Sequence, residues 1–586
     1  MSHDQRAAAS QALGDIPRRT ARRLRDKTAV IDGDFAMTFA QLDARVDALA
    51  AAFQAQGLVE GDVVACLSRN CWQMAVLPFA AARAGLIFAP INFLLSGQEV
   101  SQILELTQPK LFLVEDHLVA TGSAAVGLAG QAGPTDQAEA AAGSGGSGIG
   151  RWEKLGVADP AVSGRLAQPA KQTERAGATE DGGANGARQG APTWRNRPAM
   201  VKAVLTTGRT LPPDGWQNTT PWFEPGPEPT PVQVSDHDVI RLMFTSGTEA
   251  KPKAVRMTSR ALMWQYMSTI VGGSMTQDDI ELHVMPLYHC AQLDVFLIPD
   301  VLLGATSVIL PSGGPGRVQK AIQAHGVNKL FATPSKWIEL LHSPAFDPAV
   351  MGQLTKGYYG AAAMPVPILR EMDRVLPALR LWNFYGQTEM APAACILPPE
   401  DQLSHAGSAG QPAINVEMAI LDPDGRELEP GQVGEVAFRS AHACLGYLAD
   451  AAATDRLFRG GWLHTGDLGY LEDGRLYFVD RVKDTINVGG EKVSSREVEE
   501  VIYQLDGVHE AAVFAAPHPK FLEMVVAAVV PKEGHQLDPE AVMAHVRSKL
   551  AGFKTPRRVV VLDSLPKNAS GKILKRELRA QFSQDS

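Results

Sequence analysis

Thr245-Ser246-Gly247-Thr248, followed by Lys251-Pro252-Lys253, ends an apolar, strand-like run at Met243 and Phe244. Small hydroxylated residues around a glycine let successive backbone N–H groups converge, and the lysines add charge, so the loop suits a polyphosphate. It differs from the G-x-x-x-x-G-K-[ST] phosphate loop in its glycine spacing and lacks the closing Lys-Ser/Thr pair. Three later groups have residue types that fit nucleotide chemistry. Tyr385-Gly386-Gln387-Thr388-Glu389 follows the strand-like Leu379 to Phe384. A carboxylate there can hold Mg²⁺ through oxygen, and the Thr388 hydroxyl can donate to a phosphate. Asp467, in Thr465-Gly466-Asp467, can accept from both hydroxyls of a ribose. Pro566 to Lys572 places Lys572 at the start of the final helix, with Ser570 as its N-cap. Taken singly, each has a plainer reading: a surface turn, a strand-ending turn with an exposed Glu, a Gly-Asp turn, and a solvated basic helix end beside Lys575, Arg576 and Arg579.

The chain that must position these groups has 586 residues, too many for one core. Apolar content of 45% and charged content of 20% are those of a globular protein. A formal charge of −9 argues against a nucleic-acid binder, which needs a basic face. Cys66, Cys71, Cys290, Cys395 and Cys444 have no metal-type spacing and read as buried thiols of a reducing compartment. No apolar run is long enough to span a membrane, and the N-terminus has no signal-like core, so the reading is cytoplasmic. Weak membrane contact and a homodimer stay open.

From Thr28 to Asp116 apolar runs alternate with amphipathic stretches: a helix over 40–56, a strand over 62–67, a helix over 72–84 and a strand over 86–91. That alternation implies an α/β fold with a mostly parallel sheet covered on both faces. Residues 122–199, dominated at first by Gly and Ala and then polar, read as a flexible insertion. A second alternating block covers 259–381. After Gln411 short strands and turns such as Asp422-Pro423-Asp424-Gly425 point to a small β subdomain. Beyond Asp484 a compact tail of strands and helices is long enough for a separate lid.

The five groups occur in a fixed order, with Asp480-Arg481-Val482-Lys483-Asp484 between Asp467 and Lys572. That string resembles the adenylate-forming superfamily of acyl-CoA synthetases, peptide-synthetase adenylation domains and luciferases. The resemblance implies an N-terminal domain over 1–482, built of two doubly wound α/β subdomains plus the small β subdomain. A mobile α+β C-terminal domain over 483–586 would turn about Lys483. Thr245, Ser246, Gly247, Thr248 and Lys253 would cradle the ATP phosphates. Gly360, Ala361 and Ala362 with Asn383, Phe384 and Tyr385 would form the adenine pocket. Thr388 and Glu389 would meet the α-phosphate and Mg²⁺, and Asp467 and Arg481 the ribose. Lys572 would bridge the acid's carboxylate and the α-phosphate, Gly489 and Gly490 would line the path of CoA, and His289 would stand by the acyl tunnel. Two departures stand out: Glu249-Ala250 replace the usual Thr-Gly of the phosphate loop, and Asp480 stands where many relatives have Gly.

The expected reaction joins a carboxylic acid to CoA through acyl-AMP, with ATP consumed to AMP and pyrophosphate. Gly386 stands where acetate-activating relatives carry a tunnel-blocking Trp, which implies a medium- or long-chain fatty acid or another bulky apolar acid. An aryl acid, loading of a carrier protein, and a non-catalytic nucleotide binder are the alternatives.

Overall fold

The structure, a computed structural model, describes residues 12–129, 200–206, 212–245, 252–311, 313–481, 485–488, 491–518, 521–567 and 573–582. Three sheets organise it. In the first, Val63–Leu67, Ile87–Ile91, Leu111–Glu115 and Val201–Leu205 run parallel. The first three are buried at every residue, which is why they read as unbroken apolar runs rather than alternating ones. Phe39–Ala55 and Gly97–Thr107 are helices opened by capping boxes, at Thr38/Gln41 and at Ser96/Glu99.

The expected insertion begins later than its composition implied. A helix spans Val119–Ala129, with Gly122 and Ala125 buried. A Cβ at Gly122 would stand 2.9 Å from Val114 Cγ2, so small residues here let the helix press onto the sheet. Composition alone does not separate this close-packing use of Gly and Ala from flexibility. The rest of that stretch, 130–199, lies outside the described residues.

The second sheet has fourteen strands. Its parallel centre includes Ile280–His283, Thr306–Ile309, Lys329–Phe331, Lys356–Gly360 and Arg380–Gly386. Ala393–Leu397 then pairs antiparallel with Arg380–Gly386. Through Ser408–Pro412 the sheet continues into Arg475–Arg481, Trp462–Glu472, Gly434–Ser440 and Val416–Leu421. The hairpins expected as a small β subdomain are thus hydrogen-bonded onto the flank of the second α/β sheet.

The third sheet belongs to the C-terminal lobe, where Val508–His518 and Leu522–Pro531 form a long hairpin with Arg558–Val561 parallel to its second strand. Its own core includes Val498, Val513, Val529 and Val546. The first helix of this lobe, Ser495–Ile502, is anchored to the end of the second sheet. Asp480 Oδ2 accepts from the Ser495 backbone N–H at 2.7 Å, and Arg496 donates to Phe478 O at 2.8 Å. A carboxylate at a helix N-terminus is favoured by the helix dipole, so Asp480 has a structural use that glycine lacks. The expected hinge, Lys483, lies outside the described residues. Among the described residues no helix is long and apolar enough to cross a membrane.

Candidate functional site

The strands Val239–Thr245 and Lys253–Thr258 pair antiparallel with Thr245 opposite Lys253. The two described ends of the phosphate loop therefore face each other, while Ser246, Gly247 and Thr248 lie outside the described residues. The adenine-pocket segments are brought together by register: Tyr359 pairs with Asn383 and Gly360 with Phe384. A Cβ at Gly360 would stand 2.5 Å from Phe384 O, so the close approach of these strands requires glycine. Ala361 follows at φ +65°, a left-handed conformation that costs an L residue about 1–3 kcal/mol and is found at functional sites.

Past the end of Arg380–Gly386, Thr388 and Glu389 occupy a short 3₁₀ turn. Thr388 Oγ1 lies 3.5 Å from Cys290 Sγ, next to His289. Tyr385 donates to Asp467 Oδ2 at 2.7 Å, and Asp467 stands opposite Arg481 in the strand pairing. Asp467 and Glu389 are both mostly buried, 7% and 8% exposed, where their charges meet little water. Burial pushes the Cys290 thiol up to about 12 and Cys444 to about 12. All five cysteines are buried, and nucleophilic thiolates are not expected of them.

Sequence reasoning missed Tyr447. Its hydroxyl donates to Glu389 Oε1 at 2.7 Å, and the Lys253 ammonium lies 5.2 Å from its ring centroid. Desolvation, then the Glu389 charge, holds the phenol well above its ordinary pKa, so it stays a donor. A lone Tyr after Gly446 in a turn carries no sequence signal of this kind; the pairing of Tyr447 with Val255 and the backbone bonds of its neighbours to Ala254 and Arg256 bring it here. A hydrogen bond to a charged group contributes about 1.5–3 kcal/mol. Tyr447→Phe is therefore expected to lower kcat/KM for ATP about tenfold or more. Steady-state kinetics at fixed acid would check this, and an unchanged ATP dependence would remove Tyr447 from the site.

Gly386 also meets a backbone constraint that its sequence did not announce. A Cβ there would stand 2.0 Å from Pro392 O and 2.9 Å from Ala394 N. The residue is glycine because the neighbouring backbone comes so close, whatever the width of an acyl tunnel. His289 opens the turn leading to the π-helical segment Ala291–Leu297 and lines an inner cavity with Ala291, Gln292, Phe331 and Ala361. That cavity is small, about 10 Å³.

Met285, Pro286 and Thr333 line both this cavity and a larger cleft of about 370 Å³. The far wall of the cleft comes from the C-terminal lobe, through His509, Glu510 and Lys567. Lys567 bridges to Ile573, so the described flanks of 568–572 meet at that wall. Lys572 itself, and Gly489 and Gly490, lie outside the described residues.

Comparison with known proteins agrees with this arrangement. Residues 17–448 match the model of the AMP-binding enzyme family, and residues 497–572 that of the AMP-binding enzyme C-terminal domain. A feruloyl-CoA synthase of Amycolatopsis sp is 30% identical over 575 residues, covering 98% of this chain and 99% of the relative. An indoleacetate–CoA ligase of Aromatoleum aromaticum is 28% identical, covering 94% of each. Among solved structures, ATP-bound MatB from Rhodopseudomonas palustris superposes with a TM-score of 0.78 at 23% identity, covering 98% of this chain and 99% of MatB. The anthranilate CoA ligase AuaEII, in complex with anthranoyl-AMP, does so at 0.80 and 21%, covering 98% of each; both likenesses speak to the fold. With its two family domains in order and a relative matched end to end, the chain belongs to the AMP-binding enzyme family, the adenylate-forming ligases.

Proposed function

We propose that this enzyme joins a compact, bulky apolar or ring-bearing carboxylic acid to CoA through an acyl-AMP intermediate. One observation carries the assignment of the nucleotide site: a chain of contacts runs from Lys253 through the Tyr447 ring to Glu389, whose neighbour Thr388 touches Cys290 beside His289. It links the end of the phosphate loop to the entrance of the acyl cavity. In the first step an oxygen of the acid's carboxylate bonds to the α-phosphorus of ATP, and pyrophosphate leaves. Thr388 and Lys572 stabilise the added negative charge, and Asp467 and Arg481 hold the ribose. Fixed donors and charges of this kind supply most of the rate enhancement in phosphoryl chemistry. In the second step the CoA sulfur bonds to the acyl carbon and the carbon–oxygen bond to AMP breaks, with Gly489 and Gly490 lining the thiol's path.

The residues present fit Mg²⁺. Glu389 offers a hard oxygen donor held in place by Tyr447, and among the described residues no cationic side chain is paired with it. When bound there, Mg²⁺ would neutralise phosphate charge.

His289, Gln292 and Phe331 are among the residues lining the small inner cavity, about 10 Å³. A ring-bearing acid is preferred here to the medium- or long-chain fatty acid expected from sequence. The relatives named for feruloyl and indoleacetate support the same class. A panel of acids assayed for acyl-CoA formation tests this. Aryl and compact cyclic acids are expected to exceed both acetate and octanoate in kcat/KM by about tenfold or more. Faster turnover of octanoate or longer acids would overturn the reading.

A further inference from the structure

Lys575 begins the helix Lys575–Phe582, and beside Arg576 and Arg579 its sequence reads as a solvated basic helix end. The structure places its ammonium elsewhere. Lys575 Nζ donates to Ser495 Oγ at 2.6 Å and lies 2.8 Å from Glu499 Oε1. Ser495 and Glu499 stand one turn apart on the helix Ser495–Ile502, so one cation meets two oxygens on the same face. The Lys575 and Glu499 side chains are 20% and 17% exposed, and such a pair is less screened than one on the open surface. Glu499 is fixed in turn by the Val513 N–H, which donates to its Oε1 at 2.7 Å.

The next residue of that helix fastens it to the other body of the protein. Arg496 donates to Phe478 O at 2.8 Å and to Gly407 O at 3.2 Å. A planar guanidinium bonded to two backbone carbonyls fixes orientation as well as position. Phe478 lies in the strand Arg475–Arg481, which pairs with the strand that bears Asp467. Its ring stands 6.3 Å from that of Tyr385, the donor to Asp467.

The segment 568–572 is pinned on its other flank too. Lys567 pairs with Glu510, and the Leu574 N–H donates to Pro566 O at 2.8 Å. Contacts thus run from the strand pair bearing Asp467, through Arg496 and the helix Ser495–Ile502, to a residue three places beyond Lys572. We propose that Lys575 is a positioning residue for acyl-AMP formation: through this helix and Arg496 it sets where the end of the chain that carries Lys572 meets the nucleotide-binding domain. This inference rests on the role assigned to Lys572 and adds what holds that lysine's surroundings in register. Lys575 acts through Lys572 and needs no contact of its own with ATP or the acid.

A double-mutant cycle on the full-length enzyme tests this. Ferulate is the probe acid, replaced by the fastest acid of the panel above where ferulate is slow. Lys575→Met is expected to lower kcat for acyl-AMP formation, read as pyrophosphate release, about ten- to a hundredfold, the range that follows a displacement of about 1 Å. KM for ATP should stay within about twofold, and thioester formation from supplied acyl-AMP and CoA within about threefold. In a Lys572→Ala background Lys575→Met should add less than about threefold, because the group it positions is gone. Arg496→Met, which frees the other end of the same path, should give the same loss in the first step and the same non-additivity. It serves where Lys575→Met does not fold. A folded Lys575→Met enzyme that slows both half-reactions alike, or whose whole loss recurs on top of Lys572→Ala, overturns the proposal. An unimpaired Lys575→Met enzyme beside a slow Lys572→Ala enzyme removes this inference alone. If Lys572→Ala leaves acyl-AMP formation unchanged, the role of Lys572 falls and this inference with it.

Discussion

Lys572→Ala is expected to lower acyl-AMP formation by about a hundred- to a thousandfold, the range seen when one preorganised charge-stabilising donor is lost. Thioester formation from supplied acyl-AMP and CoA should survive largely intact, since by then the α-phosphate needs no further neutralisation by this lysine. The physical basis is that the first step concentrates negative charge on the phosphoryl oxygens, where a positioned ammonium acts on the transition state more than on the ground state. The structure contributes the location of its neighbours: Lys567, bridged to Ile573, lines the cleft that shares Thr333 with the acyl cavity. Pyrophosphate release reads the first half-reaction, and CoA consumption with acyl-AMP reads the second. Equal loss of both would remove Lys572 from the role assigned to it.

Lys329→Met is expected to destabilise the enzyme by about 3–5 kcal/mol, because it strands a buried carboxylate without its cation. The ammonium is fully buried between Asp300 and Glu281, and the Asp300 charge above all holds it protonated against the desolvation that opposes its charge. Adding Asp300→Asn and Glu281→Gln should recover much of the loss, since removing all the charges is far less costly than removing one. Denaturant unfolding followed by fluorescence would read both variants. A Lys329→Met protein as stable as wild type would show that the cluster is not held by this ion pair.

Much of the fold is legible in the chain because the parallel strands are buried on both faces and so appear as short apolar runs, as in Val63–Leu67 and Ile87–Ile91. The turn at Asp473-Gly474 likewise announces the hairpin of Trp462–Glu472 with Arg475–Arg481. Local patterning was a poorer guide where one residue type serves two purposes. Gly and Ala after Val119 build a close-packed helix turn before 130, and Gly386 answers a nearby backbone carbonyl. Candidate site residues could be named from sequence where carboxylates, hydroxyls and lysines lie in ordered motifs. Tyr447 was not among them, because it owes its position to a partner far away in sequence: Glu389 is 58 residues from it.

The order and chemical type of Thr245, Glu389, Asp467, Arg481 and Lys572 were sufficient by themselves to identify the family, since charge and hydroxyl groups at fixed intervals are properties of the chain. The buried charge cluster around Lys329 was decided only in three dimensions. Glu281 and His283 share the strand Ile280–His283, and packing brings Lys329 and Asp300 from other elements against them. Burial and mutual contact then shift the ionisation of Glu281, His283, Asp300 and Lys329, which in water would titrate independently.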